Sequence, residues 1–242
     1  MRSQIAQTKA TIRLILRPIL LRNRRVAKLF NRKYFGLNEL DRLIENFVPK
    51  DGGYFVELGA NDGVTQSNTK YFELYRNWHG VLVEPIPSKF LECKKNRSKR
   101  NFFAQAACVS LGFNEAYVRL IYSNLMTTSL SGESDLQNRR SHAQLGESYL
   151  MGNEKVEEFL APAKTLTSIL DEAQAPKMID LLSLDVEGNE IEVLKGIDHT
   201  KYKFYLMCVE CRNFEKLNEY LSSNQYEFVS QLTPHDYLFK SR

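Results

Sequence analysis

The chain has 242 residues, of which 33 are Lys or Arg and 29 are Asp or Glu, for a net charge of +4. That length suits one α/β domain with additions. No apolar run approaches the ~18 residues that a membrane-spanning helix needs, and arginines interrupt every apolar stretch near the N-terminus, which argues against a secretory signal.

The charge is unevenly spread. Residues 1–33 carry ten basic residues (Arg2, Lys9, Arg13, Arg17, Arg22, Arg24, Arg25, Lys28, Arg32, Lys33) and no acid. Without them, 23 basic residues face 29 acidic ones. The chain therefore reads as a basic helical extension over 1–50 and a mildly acidic domain over 51–242. Within the extension, Ile5, Ile12, Ile15, Leu16, Ile19 and Leu20 recur at roughly helical spacing. Pro18 predicts a kink there, and a second basic helix is predicted over 19–30. Leu40, Leu43, Ile44 and Phe47 predict a helix over 38–47 with Asn38 as its N-cap. Pro49, Asp51, Gly52 and Gly53 then break the chain.

Beyond the break, strands and helices alternate. Tyr54–Leu58 reads as a strand and Asn68–Tyr75 as a helix. "HGVLVEP" is a second strand, Ser88–Arg97 a helix with a Ser cap, and "NFFAQAACVS" a third strand. Residues 111–164 differ: "EAYVRLIY" alternates like an antiparallel strand, and a Ser-, Gly- and Asn-rich stretch follows. Such a segment inside a compact domain reads as a lid-like insertion. Regularity returns with the helix "TLTSILDEA", the buried strand "IDLLSLDVEG" and the amphipathic helix "NEIEVLKGID". The strand "KFYLMCVEC", the helix "NFEKLNEYLSSN" and two last strands joined by a turn at Thr233–His235 complete the chain. The alternation predicts an α/β fold, a mostly parallel sheet with a C-terminal antiparallel hairpin.

Of the four cysteines, only Cys208 and Cys211 have a CxxC spacing, and they lie in a strand-like run without a second ligand pair. Buried reduced thiols and a reducing compartment are the expectation. Trp78 and His79 read as packing residues, and His142 and His199 have no partner by spacing.

The turn "ELGANDG" after the first strand raises the functional question. Gly59 permits a tight turn, and Gly63 permits close approach of a ligand. Glu84 ends the second strand, where an acid can accept both hydroxyls of a ribose. A nicotinamide fingerprint needs one more glycine than is present, and Glu57 and Asp62 would repel a pyrophosphate. The same carboxylates suit S-adenosylmethionine, which carries a sulfonium and an ammonium and no phosphate. Asp185 and Glu187 end the strand "LLSLDVE" where open α/β sheets place ligands. Glu210 ends the next strand and could complete a carboxylate cluster for a divalent ion such as magnesium. His235, in the last hairpin, has the pKa range of a general base.

The stretches "FVELGANDG", "VLVEPIP", "TLTSIL", "IDLLSLDVEGNEIEVLKG" and "HDYLF" fall in order between about Tyr54 and Phe239. In them the chain resembles the FkbM family of S-adenosylmethionine-dependent methyltransferases. The family often has Asp where this chain has Glu57. The resemblance implies a class I, Rossmann-like methyltransferase fold and S-adenosylmethionine as cofactor. It implies that Glu57, Gly59, Asn61 and Gly63 line the methionine part and that Glu84 holds the ribose. Ala106 and Ala107 would lie near the adenine, and Asp185 beside the transferring methyl. The implied activity is methyl transfer to a hydroxyl of a sugar, glycan or secondary metabolite. A nicotinamide-dependent oxidoreductase and a non-catalytic cofactor-binding scaffold are the alternatives. The basic extension fits contact with an anionic membrane surface, or packing on the domain or a second subunit. Nucleic acid fits less well, because the domain is acidic and has no RNA-binding motif. The expected location is cytoplasmic, with contact to the inner face of a membrane as one of the two readings of the basic extension.

Overall fold

The computed structural model describes residues 33–48, 50–150 and 152–242. The two helices expected within 1–32 and the break at Pro49 lie outside the described residues. The helix expected over 38–47 forms as α1, Leu40–Glu45, after a 3-10 turn over Leu37–Glu39. Asn38 does not cap it. Both Asn38 and Glu39 have positive φ, 52° and 59°, so the chain turns sharply before the helix begins.

The strands β1 (Tyr54–Leu58), β2 (His79–Val83), β3 (Phe102–Ala104), β8 (Met178–Leu184), β9 (Lys203–Glu210), β10 (Tyr226–Gln231) and β11 (Asp236–Ser241) make one sheet. Its order is β10-β11-β9-β8-β1-β2-β3. Every pairing from β9 to β3 is parallel, whereas β11 runs antiparallel to both β9 and β10. This is the expected α/β arrangement, a mostly parallel sheet with a C-terminal antiparallel hairpin.

Strand alternation sorts the side chains into two cores. Val56, Leu58, Leu182 and Leu184 pack with α5 (Leu166–Glu172), α6 (Glu190–Leu194) and α7 (Phe214–Ser223) on one face. Phe55 and Leu181 pack on the other, with α1, α2 (Lys70–Tyr75) and α3 (Pro87–Asn96). Helix α3 starts with Pro87 at its first position rather than at a Ser cap. The fixed φ of proline suits that place, and its missing N–H would be unpaired there anyway.

The expected third strand is divided. After β3 the chain leaves the main sheet at Gln105–Ala106, and β4 (Ala107–Val109) joins a second sheet of order β4-β7-β5-β6. There β5 (Tyr117–Tyr122) pairs antiparallel with β7 (Glu157–Thr165) and with β6 (Thr128–Ser129). Part of the 111–164 segment is thus regular sheet. Its excursion between β5 and β7 includes 3-10 turns over Asn124–Met126 and Gly146–Tyr149. It also includes α4 (Arg139–Leu145), capped by Asn138, which accepts from Ser141 N. Among the described residues, no helix is long and apolar enough to cross a membrane.

Candidate active site

The parallel strands β1, β2, β8 and β9 deliver their C-terminal ends to one cavity of about 280 Å³. Gly59, Asn61, Glu84, Ala106, Ala107, Asp185 and Glu187 all line it, as do Glu210, Arg212, Asn124 and Tyr149. Seven of the ten expected site residues therefore meet around one space. Glu57, Gly63 and His235 do not line it.

Glu57 is corrected by the alternation of its own strand. It shares the face of Phe55, covered by α2 and α3, and is buried there. Its carboxylate accepts from Ser67 Oγ, Asn68 N and Thr69 Oγ1 and pairs with Arg97 at 3.0 Å. Its charge is spent inside the protein. Asp62 is likewise occupied, accepting from Val64 N, Thr65 N and Thr65 Oγ1. The electrostatic preference for a cationic ligand, read from these two acids, is therefore met internally by Arg97 and by backbone donors.

The two turn glycines answer to the chain itself. Gly59 has φ +75°, and a Cβ there would stand 2.0 Å from the carbonyl oxygen of Asp185. Strand-end β8 is keyed against the turn, with Asp185 N directed to Leu58 O at 3.4 Å. Gly63 has φ +78°, and its Cβ would meet Arg97 Cγ at 2.7 Å and Cys93 Sγ at 3.0 Å. The close neighbour at Gly63 is the buried arginine rather than a ligand.

Glu84 is held at the cavity wall by two backbone donors. Asn61 N donates to Oε2 at 2.7 Å and Ile86 N to Oε1 at 2.8 Å. Burial still dominates, raising its pKa to about 7. Asn61, at φ +46°, also donates from Nδ2 to Asn124 Oδ1 at 3.3 Å, which joins the turn to the excursion.

On the far wall, carboxylate oxygens of Asp185, Glu187 and Glu210 lie within 4.8 Å of one another. Asp185 is pushed well above the usual carboxylate range by burial, and further by the charges of Glu210 and Glu187. Glu187 sits at φ +53°, an uncommon conformation for a residue with a side chain. Its position is fixed from outside the strand. His142 Nε2 lies 2.8 Å from Glu187 Oε2, Arg212 donates to the same oxygen at 3.2 Å, and Thr128 Oγ1 donates to the Glu187 carbonyl at 2.8 Å. The excursion also grips the next residues: Asp135 N donates to Gly188 O, and Asn189 Nδ2 donates to Glu133 O, both at 2.9 Å.

His235 is exposed at the start of β11. The register that sets Asp236 opposite Glu210 leaves its neighbour His235 outside the cavity. Sequence reasoning missed Asn124, Tyr149, Arg212 and His142. Their partners come from distant segments, 45 residues away for His142 and Glu187, and spacing carries no signal for such a pair. Trp78 is buried as read, 4.9 Å from Phe72; all four cysteines are free, but only Cys93, Cys208 and Cys211 are buried, and Cys108 is half-buried.

Residues 57–229 match the methyltransferase FkbM domain. The chain belongs to the FkbM methyltransferase family. Among curated proteins it is similar to Methyltransferase 1 of Beauveria bassiana (strain ARSEF 2860), with 27% identity over 151 residues. That alignment takes in 61% of this chain and 59% of the fungal protein, so the match spans somewhat over half of the relative. Among solved structures, the chain is similar to M. capricolum TrmK in complex with S-adenosylhomocysteine. The identity is 11% and the TM-score 0.41, over 84% of this chain and 65% of that one. It is also similar to a ribosomal protein L11 methylase from Lactobacillus delbrueckii subsp. bulgaricus. There the identity is 5% and the TM-score 0.40, over 85% and 78% of the two chains.

Proposed function

We propose that this FkbM-family protein is an S-adenosylmethionine-dependent O-methyltransferase acting on a hydroxyl of a sugar, glycan or secondary metabolite. The observation that carries the reading is the make-up of one cavity. A buried glutamate at the end of β2 lines one part of it, and three carboxylates at the ends of β8 and β9 line another.

The residues present suit the cofactor. Each oxygen of Glu84 already accepts one backbone N–H and has a further lone-pair site for a ribose hydroxyl. The left-handed turn at Gly59 brings backbone to the cavity without a side chain. Ala106 and Ala107 give a small apolar wall for a base. When bound, the cofactor supplies an already activated methyl group. The protein's own task is then to aim the acceptor oxygen along the line of displacement and to remove its proton. Asp185 suits that task, since a carboxylate with a raised pKa takes a hydroxyl proton more readily than an ordinary one, and Glu187 and Glu210 stand beside it. Glu187 is held for it by His142 and Arg212.

Calorimetry tests the cofactor directly: S-adenosylmethionine should bind and NAD should not. Tight NAD binding without S-adenosylmethionine binding would favour the oxidoreductase. For catalysis, Asp185→Asn should lower turnover by roughly 10²–10⁴ while cofactor binding persists. The readout is mass spectrometry of methylated glycans and small metabolites in cells with and without the protein. A normal rate in a folded Asp185→Asn protein would remove Asp185 as the base. Cofactor binding with no methylated product at all would support the scaffold reading.

A further inference from the structure

Asp185, Glu187 and Glu210 present oxygens within 4.8 Å of one another from two adjacent strand ends. Three carboxylates at that separation repel unless a cation or shared protons lie among them. Arg212 supplies part of the compensation, reaching Glu187 at 3.2 Å and Glu210 at 3.8 Å. It does not reach Asp185, whose carboxyl has Glu210 as its side-chain neighbour and whose Oδ1 is sealed from solvent without any hydrogen-bond partner.

A second observation comes from just behind the cluster. Glu190, a third acid in the stretch that holds Asp185 and Glu187, is only 1% exposed. Its Oε1 accepts from Gly188 N at 2.9 Å, whereas its Oε2 is buried with no donor. The Glu190 charge bears on both Asp185 and Glu210. A buried carboxylate oxygen without a donor is costly, because it has given up its water and gained nothing in return. Two such oxygens in one acidic loop are explained by a positive ligand whose field offsets their charge.

The donors are all hard oxygens, with no thiolate among them and the imidazole of His142 already turned to Glu187. Such a set selects magnesium, manganese or calcium over softer ions. We propose that Asp185, Glu187 and Glu210 form a binding site for a hard divalent cation, with Glu190 adding negative charge behind it. Three protein ligands leave coordination positions facing the cavity, where an oxygen of a hydroxylated acceptor or water would complete the shell. The cation would then orient the acceptor oxygen and make its proton easier to lose.

Binding of the bare ion requires neither cofactor nor acceptor, so this test is independent of the methyl-transfer reading. The full chain, freed of metal with a chelator, is titrated with Mn²⁺ and followed by electron paramagnetic resonance, with Mg²⁺ as competitor. One ion per chain should bind with a dissociation constant of about 10⁻⁵ to 10⁻³ M. Glu210→Gln and Asp185→Asn, checked for folding by circular dichroism, should each weaken it roughly tenfold or more. Glu172→Gln removes an exposed acid paired with Lys164 on α5 and should change nothing. No stoichiometric binding by the wild type at millimolar Mn²⁺ overturns the proposal. So does binding that persists unchanged in both Glu210→Gln and Asp185→Asn.

Discussion

In the proposed function, cofactor recognition turns on Glu84 at the cavity wall. Burial holds its pKa at about 7, although two backbone N–H groups favour the charged form. Hydroxyl donors from a bound ribose would add to that stabilisation, so the charged form should bind the cofactor better. Protonation then competes with binding. S-adenosylmethionine affinity should rise as pH increases through about 7 and fall below it. Glu84→Gln should bind about 1.5–3 kcal/mol more weakly at pH 8, the worth of a charge-assisted hydrogen bond, and should lose the pH dependence. Calorimetry between pH 5.5 and 8.5 measures both, and a flat wild-type profile would exclude Glu84 as the titrating group. The place of Glu84 at the cavity wall was legible because a strand-end acid after a glycine turn is a short-range pattern. Glu57 was misread for a related reason. A sequence shows which face of a strand a residue shares, but not that an arginine 40 positions away will occupy that face. The glycines were right in kind. Their φ values are positive, yet the atoms that crowd Gly59 and Gly63 belong to Asp185, Arg97 and Cys93.

Among the elements, α2, α3 and β1 are tied together by buried charge. Lys70 lies 2.9 Å from Glu73, Arg97 lies 3.0 Å from both Glu73 and Glu57, and Arg97 itself is fully buried. Burial alone would raise the Glu73 pKa, but the charges of Arg97 and Lys70 outweigh it and lower the value to about 2. A depressed carboxylate contributes stability that is complete above its unfolded value near 4.5. That contribution is lost as pH falls from there toward 2. The linkage amounts to about 3 kcal/mol. Urea unfolding measured from pH 7 to pH 2.5 should therefore show a steep acid loss. Glu73→Gln should be destabilised by about 3–5 kcal/mol at pH 7, because it leaves buried cations unpaired, and should lose stability less steeply below pH 4.5. Equal slopes for the two proteins would assign the acid limb to other groups. The sequence announced these helices through their apolar spacing but not this network, whose members come from three elements. Element existence was legible for the same reason that element ends were not. Helix α3 begins at Pro87 and α1 follows a left-handed turn, and both details depend on local backbone geometry rather than on periodicity.

For the whole molecule, strand–helix alternation was enough to give the parallel sheet and its terminal hairpin. The second sheet was not legible, because β4 and β7 pair across more than fifty residues and β7 carries no clean alternation. Charge at this scale yields a separate expectation. The basic residues of 1–33 are set against an acidic remainder. Near an anionic bilayer each contributes up to roughly 1 kcal/mol. The full chain should co-sediment with vesicles containing anionic phosphatidylserine, and should release from them as salt is raised. Neutral vesicles should not retain it. Retention that ignores both salt and lipid charge would rule out an electrostatic membrane contact.

The excursion between β5 and β7 has a consequence for how such a protein changes over generations. It leaves the second sheet after Tyr122 and returns at Glu157, and these two residues are cross-strand partners. Its ends are thus held together by a pairing that does not involve what lies between them. Insertions, deletions or wholesale replacement there cost little loop-closure entropy and leave the main sheet and Glu84 in place. Yet the same excursion supplies Asn124 and Tyr149 to the cavity and His142 to Glu187. Descent with a swapped excursion would keep Glu84 and the strand-end acids, and would exchange the residues set around them, provided the new excursion again holds Glu187. A chimera carrying another family member's excursion between Tyr122 and Glu157 would inherit that donor's choice of acceptor.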